Sequence, residues 1–215
     1  MTETLKTNYV KQLLDHVWAF KPNRKSFGGV SYLIVRERGS LLVDAPIFDP
    51  ATFDVFDELA FPTHIFVTHR DDVAEVDRFR EKYGIPIIIH ESENDDIPGG
   101  ADITFGEEYA LDDEVLLLHT PGHSPGSSSL LWKRTPGYLF TGDHVIVSRG
   151  DPILERFSWT TDWKGQIDSG RKLLTYNFQY IFSGHGGRQF ADDAKRKLKG
   201  FLDTLNSEGK DENNH

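Results

Sequence analysis

Four short segments carry side chains that can bind a metal ion: THRDD, PGHSPGS, TGDH and SGHG. Each segment follows a run of apolar residues, and each of the last three contains glycine. The first candidate ligands, one for each segment, are His69, His123, Asp143 and His185. Strand ends hold side chains rigidly, and glycine lets the backbone come close to an ion. The pattern therefore indicates a metal site assembled from distant parts of the chain.

Composition restricts the chemistry of such a site. The 215-residue chain contains no cysteine, which excludes thiolate ligands, thiol nucleophiles and disulfides. Imidazole nitrogen and carboxylate oxygen remain as donors, and this set suits zinc, iron or manganese. Such an ion lowers the pKa of bound water and supplies hydroxide that attacks an ester, thioester, amide or phosphoester.

The first segment is the least complete of the four. Asp71 and Asp72 follow His69 closely and add carboxylates to it. Val73 and Ala74 come next, and an apolar side chain cannot bind an ion. The segment therefore contributes one side of a reduced site.

Three further residues near these segments have alternative interpretations. Asp72 and Glu75 would face the same side of a helix that begins near Asp72, as a shared ion requires. Asp72 could instead cap that helix, with Glu75 adding favourable charge to its first turn. His144 could transfer a proton or replace a missing ligand beside Asp143. Adjacent strand residues point to opposite faces, and this favours a structural role for His144.

The segment ERFSWTTDW places three large aromatic side chains close together, those of Phe157, Trp159 and Trp163. Ligand sites are commonly lined by aromatic side chains, so these residues could line the mouth of a pocket. Packing against a loop or in the core is the alternative.

The elements that must position these segments begin with consecutive antiparallel strands in VWAFKP, GGVSYLIV and SLLVDAP. A helix capped by Asp49 and the buried strand THIFVTH follow. The next helix is predicted to be capped by Asp71 or Asp72 and to end at Gly84. IPIIIH is a further strand.

The second half of the chain repeats this order. From about Ile103, the strands EVLLLHT, SSSLLWKR and GYLFTGD are joined by turns that contain proline and glycine. A helix in DWKGQIDSGRKLLTY, the strand YIFSGHG and a last amphipathic helix from Asp192 to Leu205 complete the pattern. Strands followed by strand and helix alternation thus occur twice, which predicts two sheets packed face to face with helices outside.

Length and charge bound the molecule as a whole. The length favours a single domain over residues 1–208, and the polar residues 209–215 are expected to be a disordered tail. A net charge of -10 argues against a nucleic-acid-binding surface. No apolar run has the length of a membrane span, so we expect a cytoplasmic protein without membrane association.

Taken in order, THRDD, PGHSPGS, TGDH and SGHG resemble the signature of the metallo-β-lactamase fold superfamily. The resemblance extends from GGVSYLIV and LLVDAP to the strand before His185. It implies an α+β, four-layer αββα sandwich with one or two zinc, iron or manganese ions at an edge. The superfamily's first motif is His-x-His-x-Asp-His. His69 matches its first histidine, but the other three positions fall on Asp71, Val73 and Ala74.

The other ligands of the superfamily are matched by His123, Asp143 and His185. The resemblance therefore implies one mononuclear site of His69, Asp71, His123 and Asp143, while the other site retains Asp143 and His185. Asp72, Glu75 and His144 are additional candidates. We expect one divalent ion, with zinc favoured and iron or manganese as alternatives, and an incomplete second site.

The resemblance implies a hydrolase that cleaves a small cytoplasmic ester or thioester by metal-bound hydroxide. From the length we expect no additional C-terminal domain like that of glyoxalase II, and from the first residues we expect no secretion signal like that of a periplasmic β-lactamase. One alternative is a catalytically inactive binding or scaffold protein on the same fold. Another is a flavodiiron-like oxidoreductase, whose first motif carries a carboxylate at the position of Asp71. The expected partner is a small-molecule substrate or ligand.

Overall fold

The computed structural model describes residues 9–186 and 190–211, with side chains described through residue 205. The chain forms two compact units, residues 1–107 and 108–215, and each has its own large sheet. A single domain over residues 1–208 stays a prediction. Within the predicted tail 209–215, the last helix continues to Asp211, and residues 212–215 lie outside the described residues.

The N-terminal unit is built on a seven-stranded sheet in which β1 to β7 are neighbours in chain order. The strands are β1 Val10–Leu14, β2 Val17–Phe20, β3 Tyr32–Ile34, β4 Ser40–Val43, β5 Pro62–Phe66, β6 Ile87–His90 and β7 Ile103–Phe105. β1 to β4 pair antiparallel, whereas β4 to β7 pair parallel. The predicted antiparallel strands are therefore confirmed. β1 escaped prediction because VKQLL has polar, exposed residues at an edge of the sheet.

Two helices connect the parallel strands, α1 Pro50–Glu58 and α2 Val76–Tyr83. The predicted cap of α1 is confirmed, since Asp49 Oδ1 accepts a hydrogen bond from Thr52 N at 3.1 Å. The predicted end of α2 at Gly84 is also confirmed, with a φ of 66° that favours glycine.

The predicted start of α2 is wrong. Neither Asp71 nor Asp72 caps it, because both lie in a separate 3-10 helix, Arg70–Asp72. The other 3-10 helices of this unit are Arg24–Ser26 and Glu91–Asp96. The predicted helix was too long because the polar residues before Val76 also suit a helical first turn, so they do not mark its start.

The C-terminal unit is built on a six-stranded sheet in the order β15-β14-β11-β10-β9-β8. Its strands are β8 Glu108–Ala110, β9 Val115–His119, β10 Ser128–Trp132, β11 Tyr138–Gly142, β14 Tyr180–Ser183 and β15 Phe190–Ala191. A separate hairpin consists of β12 Ile146–Ser148 and β13 Asp151–Ile153. The helices are α3 Trp163–Leu173 and α4 Ala194–Asp211. The three predicted strands between residues 115 and 142 and both predicted helices are confirmed.

The pairing of strands in this sheet explains where its candidate ligands lie. β9 and β10 are antiparallel, β10 and β11 are antiparallel, and β11 and β14 are parallel. The carboxyl ends of β9, β11 and β14 therefore share one edge of the sheet. PGHSPGS, TGDH and SGHG follow these three ends, so the topology gathers His123, Asp143 and His185 at that edge.

Among the described residues, no helix has both the length and the apolar character needed to cross a membrane.

Candidate metal centre

A carboxylate lies between two imidazoles in the C-terminal unit. Asp143 Oδ1 is 2.7 Å from His185 Nδ1, and Asp143 Oδ2 is 3.9 Å from His123 Nε2. The His123 side chain is almost fully buried, whereas 28% of the His185 side chain is exposed. The structure thus brings together the three candidate ligands that the sequence predicted within the C-terminal unit.

The loop that carries His123 is held by a neighbouring loop and by its own serines. Ser124 N donates to Ser127 Oγ at 2.9 Å, which tightens the turn after His123. Thr161 N donates to His123 O at 3.2 Å. Gly122 has a φ of 139°, and a Cβ there would lie 2.4 Å from the backbone of Gln166 in α3. Glycine is therefore required for the loop to pack against this helix.

A second set of contacts holds the loop that carries His185. Gly184 N donates to the carbonyl of Gly142 at 2.9 Å, so the loops after β14 and β11 are joined directly. The hydroxyl of Ser183 donates to His185 O at 2.6 Å and accepts from Val147 N at 3.2 Å. These bonds fix His185 beside Asp143 before any ligand binds.

His144 is fully buried next to this cluster. Burial, together with the neighbouring His123, lowers the pKa of His144 to about 3, so its imidazole is neutral at neutral pH. Neither ring nitrogen has a hydrogen-bond partner among the described residues. Its backbone is fixed at both ends, because His144 N donates to Thr141 O and His144 O accepts from Gln166 Nε2.

The strand argument for His144 was wrong, because β11 ends at Gly142 and both Asp143 and His144 lie in the turn that follows. A structural role for His144 agrees with its burial and its neutral ring. Its predicted part in proton transfer or in metal binding stays a prediction.

His69 is the corresponding buried imidazole of the N-terminal unit. Its Nδ1 lies 3.1 Å from Thr68 Oγ1 and 3.4 Å from Asp72 Oδ2, and its Nε2 lies 3.7 Å from Asp71 Oδ2. Thr68 is in turn bound by Asp44, whose Oδ1 accepts from Thr68 N at 2.7 Å and whose Oδ2 accepts from Thr68 Oγ1 at 3.1 Å.

These contacts determine which nitrogen of His69 carries the proton. A carboxylate only accepts hydrogen bonds, so the single hydroxyl hydrogen of Thr68 goes to Asp44. The Thr68 oxygen then has to accept, and the donor is His69 Nδ1–H. Nε2 therefore keeps its lone pair, which is the arrangement that a metal-ligating histidine needs.

Asp72 and Glu75 have different partners and share no helical face. Asp72 is buried against Gly29, where a Cβ would lie 2.5 Å from Asp72 Oδ1. Glu75 forms ion pairs with Lys25, at 2.8 Å, and with Arg78. Burial alone would raise the pKa of Glu75, but hydrogen bonds from Lys25 and Arg78 outweigh it and lower this pKa. The predicted pairing of Asp72 with Glu75 on one helix is wrong, because α2 begins after both residues.

Sequence reasoning missed the role of three residues that position His69 and Arg70, namely Asp44, Thr68 and Glu93. Glu93 is buried, and its Oε2 accepts from Arg70 N at 2.8 Å. Asp44 follows the apolar strand β4 just as the candidate ligands follow their strands, and this was the signal that could have identified it. Glu93 gives no such signal, since it lies in the acidic segment ESENDD, which reads as solvent-exposed.

The sequence matches no family model. It is 30% identical over 151 residues to the "Probable metallo-hydrolase YybB" of Bacillus subtilis (strain 168). This match includes 58% of the present chain and 64% of the relative, so the chain spans slightly less than two thirds of that protein.

Solved structures give a more extensive match. The crystal structure of the DIM-1 metallo-β-lactamase exposed to ceftazidime matches 91% of this chain and 96% of its own, with a TM-score of 0.71 and 16% identity. This chain has the metallo-β-lactamase fold. FIM-1 from Pseudomonas aeruginosa, a metallo-β-lactamase in its mono-zinc form, matches 93% of this chain and 95% of its own, with a TM-score of 0.66 and 18% identity. The fold predicted from the four motifs is confirmed.

The donor atoms on this metallo-β-lactamase fold suit a divalent ion. His123, His185 and Asp143 provide imidazole nitrogen and carboxylate oxygen in one cluster. In the N-terminal unit, His69 offers a nitrogen whose lone pair is kept available by Thr68. Nitrogen and oxygen donors in this proportion are typical of zinc sites with an open position and also suit iron and manganese. The residues present therefore fit the metal that the fold implies.

Proposed function

We propose that this protein is a metal-dependent hydrolase that uses one divalent ion to cleave a small cytoplasmic ester or thioester. The observation that carries the proposal is the Asp143 carboxylate held between His123 and His185 at the carboxyl ends of three strands. The relative named as a probable metallo-hydrolase supports the same chemistry.

The proposed ligands of this ion are His69, Asp71, His123 and Asp143. Asp44 and Thr68 hold the proton of His69 on Nδ1, which leaves Nε2 to bind. His185 holds Asp143 through the bond to Oδ1, and this leaves Oδ2 on the side of His123. When bound, the ion would supply the Lewis acidity that generates a nucleophile from water near neutral pH.

One ion rather than two is proposed for reasons that lie in the first motif. Val73 and Ala74 have no donor atoms where two of the superfamily's ligands would stand. Glu75 does not compensate for them, since its carboxylate is bound by Lys25 and Arg78. Zinc is the favoured metal, in line with the mono-zinc form of FIM-1, and iron or manganese would suit the carboxylate-containing set.

The test is elemental analysis of untagged protein purified without chelator, followed by the same measurement on His123→Ala. We expect about one equivalent of zinc, iron or manganese per chain. His123→Ala should lose this metal while its circular dichroism spectrum stays unchanged. His64→Ala, which replaces a histidine on β5 that is outside the proposed site, serves as the matched control and should keep the metal.

Two outcomes would contradict the proposal. Unchanged metal content in His123→Ala would remove His123 from the ligand set. Absence of bound metal even after reconstitution would favour the second candidate function, a non-catalytic binding protein. The specific observation behind that candidate is the pair of apolar residues Val73 and Ala74 in the first motif.

A further inference from the structure

A partly exposed aromatic pair lies beside His123 in the C-terminal unit. The rings of Phe157 and Trp159 are stacked, with 5.0 Å between their centroids and an angle of 2° between their planes. Phe157 also meets the His123 ring edge to face, with 6.1 Å between centroids and an angle of 88°. Trp159 is 60% exposed. The rings of Trp159, Phe157 and His123 are therefore in consecutive contact, with Trp159 exposed to solvent and His123 a proposed metal ligand.

The backbone around this pair is tied to the loop that carries His123. Phe157 N donates to Thr160 Oγ1 at 3.0 Å, and Thr160 N donates back to Phe157 O at 3.1 Å. The hydroxyl of Thr161 donates to Gly122 O at 2.9 Å, beside the bond from Thr161 N to His123 O. The pair is consequently built into the same framework as the ligand, and its position relative to His123 is preorganised.

Exposure of Trp159 has no explanation in the packing of the core. Phe61, another exposed aromatic residue, has edge contacts with the rings of Phe56 and Tyr83 and so extends the N-terminal core cluster. Trp159 instead stacks on Phe157, a ring that leads to His123 and lies outside the core cluster of its own unit. Contiguous apolar surface left in water marks a site of interaction, and the stacked rings of Trp159 and the partly exposed Phe157 form such a surface.

We propose that Phe157 and Trp159 form a platform that binds a planar aryl group of the substrate. The inference rests on the proposed function, since it takes His123 as a ligand of the catalytic ion. Aromatic rings bind one another by stacking or by edge contacts over centroid distances like those seen here. Phe157 contacts the ring of His123 directly, with 6.1 Å between centroids, so an aryl group held by this pair lies close to the proposed metal ligand. The substrate proposed for this platform is an ester or thioester whose acyl group carries an aryl ring.

The first test measures binding without catalysis. Metal-free protein is mixed with methyl phenylacetate, and saturation transfer from the protein to the phenyl protons is recorded by NMR. We expect transfer with the wild-type protein and with Trp159→Phe, which keeps a stacking ring, and its loss with Trp159→Ala. Methyl acetate, which lacks the ring, should show no transfer.

The second test measures hydrolysis of the same two esters, which share a leaving group and differ in the aryl ring. Trp159→Ala should raise the KM for methyl phenylacetate about fivefold, the size expected for loss of one aromatic contact. The KM for methyl acetate should not change. Phe61→Leu, which removes an exposed ring from the N-terminal unit, is the matched control and should leave both KM values unchanged.

Together, the two tests distinguish a failure of the proposed aryl-binding platform from a failure of the proposed hydrolase activity. Ring-dependent saturation transfer without hydrolysis of either ester would support the platform and contradict the proposed function. Hydrolysis with equal effects of Trp159→Ala on both esters would support the hydrolase and overturn the platform. Equal saturation transfer to wild-type protein and Trp159→Ala would also overturn it.

Discussion

Thr68 is the residue through which Asp44 acts on His69. Its hydroxyl donates to Asp44 Oδ2 and its oxygen accepts from His69 Nδ1, so removal of one oxygen atom breaks both bonds. Asp44 adopts a φ of 57°, a conformation that aspartate tolerates better than most residues, and this backbone turn directs its carboxylate toward Thr68. Positioning contacts of this type commonly change metal affinity without touching the metal.

Replacement of Thr68 by valine should weaken zinc binding by about tenfold, because His69 then loses the acceptor that holds its Nδ1–H. Zinc affinity is measured by competition with a chromogenic chelator. Long-range ¹H–¹⁵N NMR spectra of His69 report the tautomer, which should become mixed in Thr68→Val. Thr68→Ser keeps the hydroxyl and should retain both the affinity and the tautomer. Wild-type affinity in Thr68→Val would show that the Asp44–Thr68 contact does not position His69.

The pH dependence of the free energy of unfolding can distinguish a stabilising role of Glu75 from a role in metal binding. Its pKa in the folded protein is lowered below the ordinary value of 4.5, so its charged form stabilises the fold. This stabilisation is complete above the ordinary pKa and is lost as the pH falls through the lowered pKa of the folded state. A metal-binding role would instead appear as a change in metal content.

Glu75→Gln should reduce the free energy of unfolding by about 1 kcal/mol or less at neutral pH, since the ion pairs with Lys25 and Arg78 are lost. In strongly acidic buffer the difference from wild type should vanish. Urea denaturation at both pH values measures this, and metal content should be unchanged at neutral pH. Loss of metal in Glu75→Gln would return Glu75 to the set of ligands.

At the scale of elements, the start of α3 packs against the loop after β9. Asp162 caps α3 by accepting from Gly165 N at 2.9 Å, and Asp162 N donates to Gly122 O at 2.9 Å. Gln166, one turn into the helix, lies against Gly122 and also donates to His144 O. The helix therefore supports the loop of His123 and the turn after Asp143 together.

Gly122→Ala should lower the free energy of unfolding by at least about 2 kcal/mol, because the new Cβ meets the backbone of Gln166 and the positive φ disfavours alanine. Metal content should fall with it, since His123 is the next residue. Gly200→Ala in α4 is the matched control, as an added Cβ there has no neighbour within 4 Å. It should stabilise the protein by about 0.5–1 kcal/mol. Urea denaturation of both variants measures these changes in the free energy of unfolding. If Gly122→Ala were as stable as the wild-type protein, the loop would be able to move away from α3.

Elements were predictable to the extent that their residues repeat with a clear period. SSLLW and YLFTG are buried throughout, and helix α3 has a capping aspartate and apolar spacing, so all three were found. The hairpin of β12 and β13 was not found, because each strand has only three residues and β13 contains Pro152. The start of α2 was misplaced because its N-cap residue Glu75 makes no capping bond with its side chain.

At the scale of the whole molecule, the chain has two units with one large sheet each and a formal net charge of -10. The strand order within each sheet determines which strand ends become neighbours. β11 and β14 are far apart in the chain and yet parallel neighbours, and this pairing places Asp143 next to His185. The absence of nucleic acid among the partners, expected from the negative charge, stays a prediction.

The sequence by itself determined the fold class and the donor chemistry. Residue types define which atoms can bind an ion, and the absence of cysteine leaves nitrogen and oxygen. The order of four motifs at strand ends was enough to indicate the metallo-β-lactamase fold, which the solved structures confirm. The sequence also shows that Val73 and Ala74 in the first motif have no donor atoms, because both side chains are apolar whatever their surroundings.

Only the tertiary structure decided what the remaining polar residues contact. Glu75 pairs with Lys25, Asp72 packs on Gly29 and Asp44 binds Thr68, and each of these partners is at least 24 residues away in the chain. Such contacts depend on chain folding rather than on local spacing, so a helical pattern that placed Asp72 beside Glu75 could not reveal them. The aromatic pair at His123 has the same origin, since the loop that carries Phe157 reaches that histidine through backbone hydrogen bonds rather than through proximity in the sequence.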